Sequence, residues 1–343
     1  MAELNPIRNR MLAVITVLLV VAGLRASYAV TMPLAAAIVI VAAIWPIKPW
    51  LDGALPSKIS YLGTILVLLL ISVGFIGAVY FSAAQVVRAL AEKQDQFNNL
   101  YGSLTDWAAQ WGFEGIPGQQ GYARLINFGQ TVLANAYTVF VYLGFIALLV
   151  VLGLPEVPAL RLKLQGALSA TDRRELIDTV DEIAGKIRQY VGVTALTSVI
   201  TGVASALWAL TIGLELALVW GTLNFLLNFI PLIGNIIGII PPTLYAIVQF
   251  QSLTMSLIVF FGFAALQIAI SNFLYPALQG RSLSLSPVAI VMALAFWGWV
   301  WGIAGALIAV PLTSALVIIC EHFRSTEWVA RLLSSPGKAG DSR

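Results

Sequence analysis

Five uncharged amide side chains stand in otherwise apolar sequence: Asn224, Asn228, Asn235, Gln267 and Asn272. Each offers donors and an acceptor without charge. Inside a membrane such groups have two uses. They bond neighbouring helices, at about 0.6 kcal/mol per contact on average, or they line a path and bind a neutral hydroxylated solute or a partly dehydrated cation. Asn224 and Asn228 lie four apart and share one face of a helix. Ionisable groups are scarce around them. From Leu216 to Cys320 there is no Asp, Glu or His, and Arg281 is the only cation. The nearest carboxylate, Glu215, reads either as an interfacial group facing water or as an ion-coupling residue. Arg281 reads as a positive-inside anchor or as a gate for an anion.

The segments that must hold these amides are interrupted. The apolar run 216–250 carries Pro231, Gly234, Gly238, Pro241 and Pro242, and the run 288–319 carries Gly298, Gly302, Gly305 and Pro311. Pro276 and Gly280 follow Asn272. Proline removes an N–H and clashes with the preceding turn, so helical hydrogen bonds fail at these points. Lipid cannot receive the freed groups, so broken backbone is tolerated where protein buries it or where it lines a cavity. Both runs place Gly in the middle and a Pro-Thr or Pro-x-Thr step after it, ending at Thr243 and Thr313. Paired interrupted segments are the sequence pointer to a transporter's midplane site. Each run is too long for one simple crossing, and as a hairpin each arm of about 14 residues reaches roughly 21 Å. That is short of the approximately 30 Å hydrocarbon core.

The whole chain fits a membrane setting. It is 59% hydrophobic and 10% charged, with a mean hydropathy of +0.91, whereas soluble domains carry roughly 25% charged residues. The apolar runs are continuous, without the alternation of a membrane barrel. The net charge of +3 does not point to nucleic acid, because the basic residues cluster between apolar segments as topology signals. Cys320 and His322 are the only residues of their kinds, which leaves no intrachain disulfide and no Cys- or His-built metal site.

Taken in order, Met11–Ile44 predicts a tight helical hairpin, with Arg25 between its arms reaching for headgroups. Spans follow over 61–86 and 131–154, the second stopped by Pro155. Residues 88–130 form an extracytoplasmic amphipathic section marked by Phe97, Leu100, Leu104, Trp107 and Trp111. Residues 156–190 form a cytoplasmic amphipathic helix, with Leu176, Val180, Ile183, Ile187 and Val191 on one face and Glu182 paired to Lys186. A span over 191–210 has Gly192 and Gly202 for close helix approach, and another runs over 252–276. The tail 321–343 is basic. The positive-inside rule puts both termini in the cytoplasm. The fold class is therefore an all-α polytopic membrane protein forming one transmembrane domain over 1–343. It has about eight hydrophobic segments, two of them, 216–250 and 288–319, broken or re-entrant.

No Gly-x-Ser-x-Gly, His-Glu-x-x-His or P-loop motif is present, so the chain is not read as an enzyme and needs no cofactor. Phe229-Ile-Pro-Leu-Ile-Gly234 with Ile240-Pro-Pro242, Asn272-Phe-Leu-Tyr-Pro276 with Gly280, and Trp297-Gly-Trp-Val-Trp-Gly302 with Gly305 and Ala309-Val-Pro-Leu312 resemble the autoinducer-2 exporter family of bacterial permeases. The resemblance covers nearly the whole chain. It implies a multi-pass transporter of the bacterial inner membrane and a homo-oligomer, with a pentamer as the candidate stoichiometry. Its partners would be membrane lipid and a small solute, and it favours the quorum-signal branch. Many members carry an acidic residue just before the Asn of Asn-x-x-x-Pro; here Ser271 stands there. That departure weakens a cation-coupled reading. The expected function is export of a small polar metabolite, with autoinducer-2 leading, by alternating access. A sodium or lithium/proton antiporter using Glu215 and a non-transporting scaffold are the alternatives.

Overall fold

The structure, a computed structural model, describes residues 6–45, 57–96, 133–167, 169–231, 233–279, 285–323 and 326–334, with isolated positions between 98 and 131. Among these residues six helical stretches are long and apolar enough to cross a membrane, and a seventh if one bent pair counts as a single span. Most of 97–130, and with it the expected amphipathic section, lies outside the described residues, as do Gly280, Arg281 and the tail beyond Ser334. The chain forms two compact units.

The first unit comprises Met1–Ser60, Phe145–Gln189 and Arg281–Arg343. Helix α1 (Pro6–Ala26) and helix α2 (Tyr28–Ile44) meet at an angle of 97°. Met11–Ile44 is thus a right-angled elbow and not the tight hairpin expected from its short arms. Local hydrogen bonds hold the elbow: Ser27 Oγ donates to the Gly23 carbonyl at 2.6 Å, and Thr31 Oγ1 reaches back to that of Leu24 at 2.9 Å. The run 288–319 lies in Pro287–His322, which is helical except at Trp301 and Gly302. The φ of +67° at Gly302 lies in the left-handed region, which only glycine enters without strain. The chain reverses there. The indole Nε1 of Trp297 donates to Thr313 Oγ1 at 3.1 Å, whereas sixteen residues of straight helix would span about 24 Å. A Cβ on Gly305 would collide with the Trp297 carbonyl. Pro311, expected as a break, sits inside the second arm, and the break is at 301–302. A short helix, Glu327–Leu333, packs back on this hairpin, and Ser286 N–H bonds the Leu333 carbonyl at 2.9 Å.

The second unit comprises Tyr61–Gly144 and Tyr190–Gly280. Helix α3 (Ser57–Glu92) and helix α4 (Ala136–Ala167) carry spans over 65–89 and 137–160. Pro155 does not stop α4, which continues through Pro155 and Pro158. Helix α5 (Ala170–Thr211) runs from the polar section into the following span, and its residues up to Gln189 belong to the first unit. The expected Glu182–Lys186 pair forms at 3.1 Å. Its apolar stripe is rotated, however: Ile187 is buried, but Leu176 and Val180 are exposed. The run 216–250 is broken into α6 (Ala217–Leu227), α7 (Ile233–Ile237) and α8 (Ile240–Phe250). Pro241 and Pro242 open α8 instead of breaking it, where a missing N–H is harmless. Helix α9 (Leu253–Ala269) continues through a π-helical turn, Ile270–Leu274, into α10 (Tyr275–Gln279). The core is built on Trp220, Tyr245, Ala246, Val259 and Phe263. Gly202 meets α6 closely, with room for no Cβ beside Gly221 and Phe225, while Gly192 faces open space.

Candidate functional site at the tip of the first hairpin

The broken run folds back on itself from mouth to tip. At the mouth, Gln249 Oε1 accepts from the Glu215 amide at 2.9 Å and Gln249 Nε2 donates to the Gly213 carbonyl at 2.8 Å. Further in, the Trp220 and Tyr245 rings lie 5.5 Å apart, Asn224 reaches Gly238, and Gly234 lies against the Leu227 carbonyl with no space for a Cβ. The run is therefore a hairpin whose ends meet on one side. Its 11-residue arms α6 and α8 are too short to cross the bilayer alone.

Three asparagines tie this hairpin to three different neighbours. Asn224, fully buried, donates to the Trp220 carbonyl at 3.0 Å and to that of Gly238 at 3.2 Å, and accepts from Gln267 Nε2 of α9 at 2.6 Å. The Gly238 carbonyl lies just ahead of the first turn of α8, outside its ladder. Asn228, just past the end of α6, donates to Thr197 Oγ1 at 3.2 Å and Ser198 Oγ at 3.0 Å on α5. Asn235 of α7 donates to Ser271 Oγ in the π-helical turn at 2.6 Å. Asn224 and Asn228 thus bond different neighbours despite their spacing. Asn272, by contrast, is exposed in the π-helical turn, and Pro276 is exposed one turn later.

One buried polar atom in this region has no hydrogen-bond partner among the described residues: Gln267 Oε1. Its residue is 3% exposed, so lipid and bulk water are both excluded. The Thr194 hydroxyl belongs to a buried stripe of Thr194, Thr197, Ser198, Thr201 and Ser205 on α5. That stripe was missed at the level of sequence. Its signal is there, because hydroxyl side chains at steps of three and four mark one helix face.

A second polar cluster closes the mouth. Glu215 pairs with Lys93 Nζ at 3.1 Å and accepts from the Tyr245 hydroxyl at 2.7 Å. Its carboxyl is held below the usual range first by the Tyr245 hydroxyl, then, against the cost of partial burial, by the Lys93 ammonium. Lys93 lies beyond the third apolar run and gave no sign in the sequence of meeting a carboxylate 122 residues away.

In the first unit the second hairpin docks its apex on the α1–α2 elbow. Trp301 Nε1 donates to the Leu24 carbonyl and to Thr31 Oγ1, each at 3.2 Å. The Arg25 guanidinium stacks over Trp299 at 4.1 Å. Among the described residues no three His, Cys, Asp or Glu side chains gather as a metal site requires.

Apolar spans and two hairpins stitched by neutral polar groups define a multi-pass membrane protein built like a transporter. The chain belongs to the AI-2E transporter family, whose model, described as "AI-2E family transporter", matches residues 12–325. A Haemophilus influenzae protein called "Putative transport protein" is 27% identical over 95% of this chain and 96% of its own length. A Borreliella burgdorferi protein of the same description is 32% identical, over 59% of this chain and 53% of its own length. The Escherichia coli K12 AI-2 transport protein TqsA is 32% identical over 61% of this chain and 59% of TqsA. For these last two, the match spans little more than half of the relative.

Proposed function

We propose that this transporter exports a small neutral polar metabolite across the bacterial inner membrane, as a homo-oligomer and by alternating access, with autoinducer-2 the leading substrate. One observation carries the reading. Among the described residues, the side-chain bonds that hold the tip of the first hairpin to α5, α9 and the π-helical turn come from uncharged groups, beside the unpartnered Gln267 Oε1. Neutral bonds between membrane helices are worth about 0.6 kcal/mol each. A solute with hydroxyl and carbonyl groups can replace them one for one, releasing the hairpin as it binds. Among the described residues at this tip, none offers a counter-ion to a charged solute. The name of TqsA, an AI-2 transport protein, supports the choice of solute.

The test is flux of labelled autoinducer-2 in proteoliposomes. Gln267→Leu and Asn228→Ala each slow it at least about tenfold, the loss of roughly 1.4 kcal/mol of binding or barrier. Unchanged flux in both variants removes the site, and no flux in the wild type removes the substrate. Sodium or lithium/proton antiport through Glu215 is less favoured, since Tyr245 and then Lys93 lower that carboxylate's affinity for a proton. Cation-dependent collapse of a pH gradient in inverted vesicles, lost in Glu215→Gln, would reverse the preference.

A further inference from the structure

The only histidine of the chain closes the second hairpin's long helix, which we label α11 (Pro287–His322). Its ring lies at the rim of a cleft of about 600 Å³ lined by Thr171, Arg174, Glu175 and Asp178 of α5. Two contacts hold it. Nδ1 is 3.0 Å from the Ile318 carbonyl, and Nε2 is 2.8 Å from Thr179 Oγ1. The same Thr179 hydroxyl is 2.8 Å from the Glu175 carbonyl. Three hydrogen bonds need three protons. Both carbonyls only accept, so Nδ1 must carry a proton and the single Thr179 proton goes to Glu175. Nε2 must then donate to Thr179 Oγ1. Only the doubly protonated ring completes the set, and the neutral ring leaves one contact short.

Charged groups surround the ring. His322 ends its helix, where the backbone dipole attracts a cation. Glu175 and Asp178 face the cleft, and Glu321 is its neighbour in the chain. Arg174 opposes it from the same cleft but pairs with Asp178 at 3.9 Å. On the short helix Glu327–Leu333 packed on α11, Glu327 and Arg331 pair with each other. Further along α5, Glu182 and Lys186 do the same.

We propose that His322 and Thr179 form a proton-operated latch that ties the second arm of this hairpin to α5. It is closed while the ring is an imidazolium and released as the ring loses its proton. The latch stands independently of the transported solute.

One histidine and one cysteine make the test direct, using the full chain in nanodiscs with a tag that contains neither. Nitrogen NMR of the histidine-labelled protein should find both ring nitrogens protonated in acid. Thr179→Val should lower the titration midpoint by about half a unit, roughly a threefold loss of proton affinity, and Thr179→Ser should restore it. Alkylation of Cys320, two residues from the ring, should gain an extra step in rate at the same midpoint, absent in His322→Gln. An unchanged midpoint in Thr179→Val, or a Cys320 step that persists without the imidazole, overturns the latch.

Discussion

Asn224 Nδ2 donates to the Gly238 carbonyl at 3.2 Å, just ahead of the first turn of α8. One side chain therefore serves a carbonyl that the helical ladder does not reach, and also accepts from Gln267. Removing it by Asn224→Ala orphans a carbonyl and an amide N–H in a place sealed from water. The expected loss is about 2–6 kcal/mol, from two unsatisfied groups at roughly 1–3 kcal/mol each. Unfolding midpoints in detergent, compared with the exposed-site variant Asn272→Ala, read it out.

Two glycines set the reversals. A methyl group on Gly234 or Gly305 would collide with the Leu227 or the Trp297 carbonyl, neither of which can move without opening its hairpin. Each Gly→Ala change should cost at least about 3 kcal/mol, the upper part of the usual overpacking range. Gly144→Ala, where nothing lies within 4 Å, should instead stabilise α4 by up to about 1 kcal/mol. Equal effects at all three positions would contradict the hairpin geometry.

Trp297 and Thr313 bridge the arms of the second hairpin through a buried hydrogen bond of 3.1 Å. A double-mutant cycle with Trp297→Phe and Thr313→Val should return a coupling of about 1 kcal/mol. A coupling indistinguishable from zero would mean that the arms part in the bilayer.

The mouth cluster predicts a pH dependence with a definite sign. The Glu215 carboxyl is held below its ordinary value of 4.5, chiefly by the Tyr245 hydroxyl. A depressed carboxyl contributes stability that is complete above the unfolded value and lost as pH falls through the depressed one. Melting temperatures of wild type and Glu215→Gln should therefore differ at neutral pH and converge in acid. A gap that persists below the depressed value would assign the difference to packing.

Membrane class, the position of most spans and the existence of both breaks were legible because apolar length and proline chemistry are local properties. The partners of the breaks were not. Asn228 finds Thr197 and Ser198 some thirty residues earlier in the chain, and Glu215 finds Lys93 across 122 residues. Such pairings are set by how helices pack. Pro155 and Pro311 misled for a related reason. In a membrane helix the freed carbonyl can be served by neighbours, so a proline need not end it. The elbow at Ser27 was hidden too, because an indole from residue 301, far along the chain, helps to hold it.

The short first arm of the hairpin also fixes an order of events during synthesis. Eleven residues of helix reach only about 16 Å, too little to settle in the membrane unaided as they leave the ribosome. The hydroxyls that receive Asn228 have been made by then, but Gln267, the partner of Asn224, is 43 residues downstream. The contacts of this arm are thus divided in sequence: those to α5 lie upstream of it, and that to α9 lies downstream.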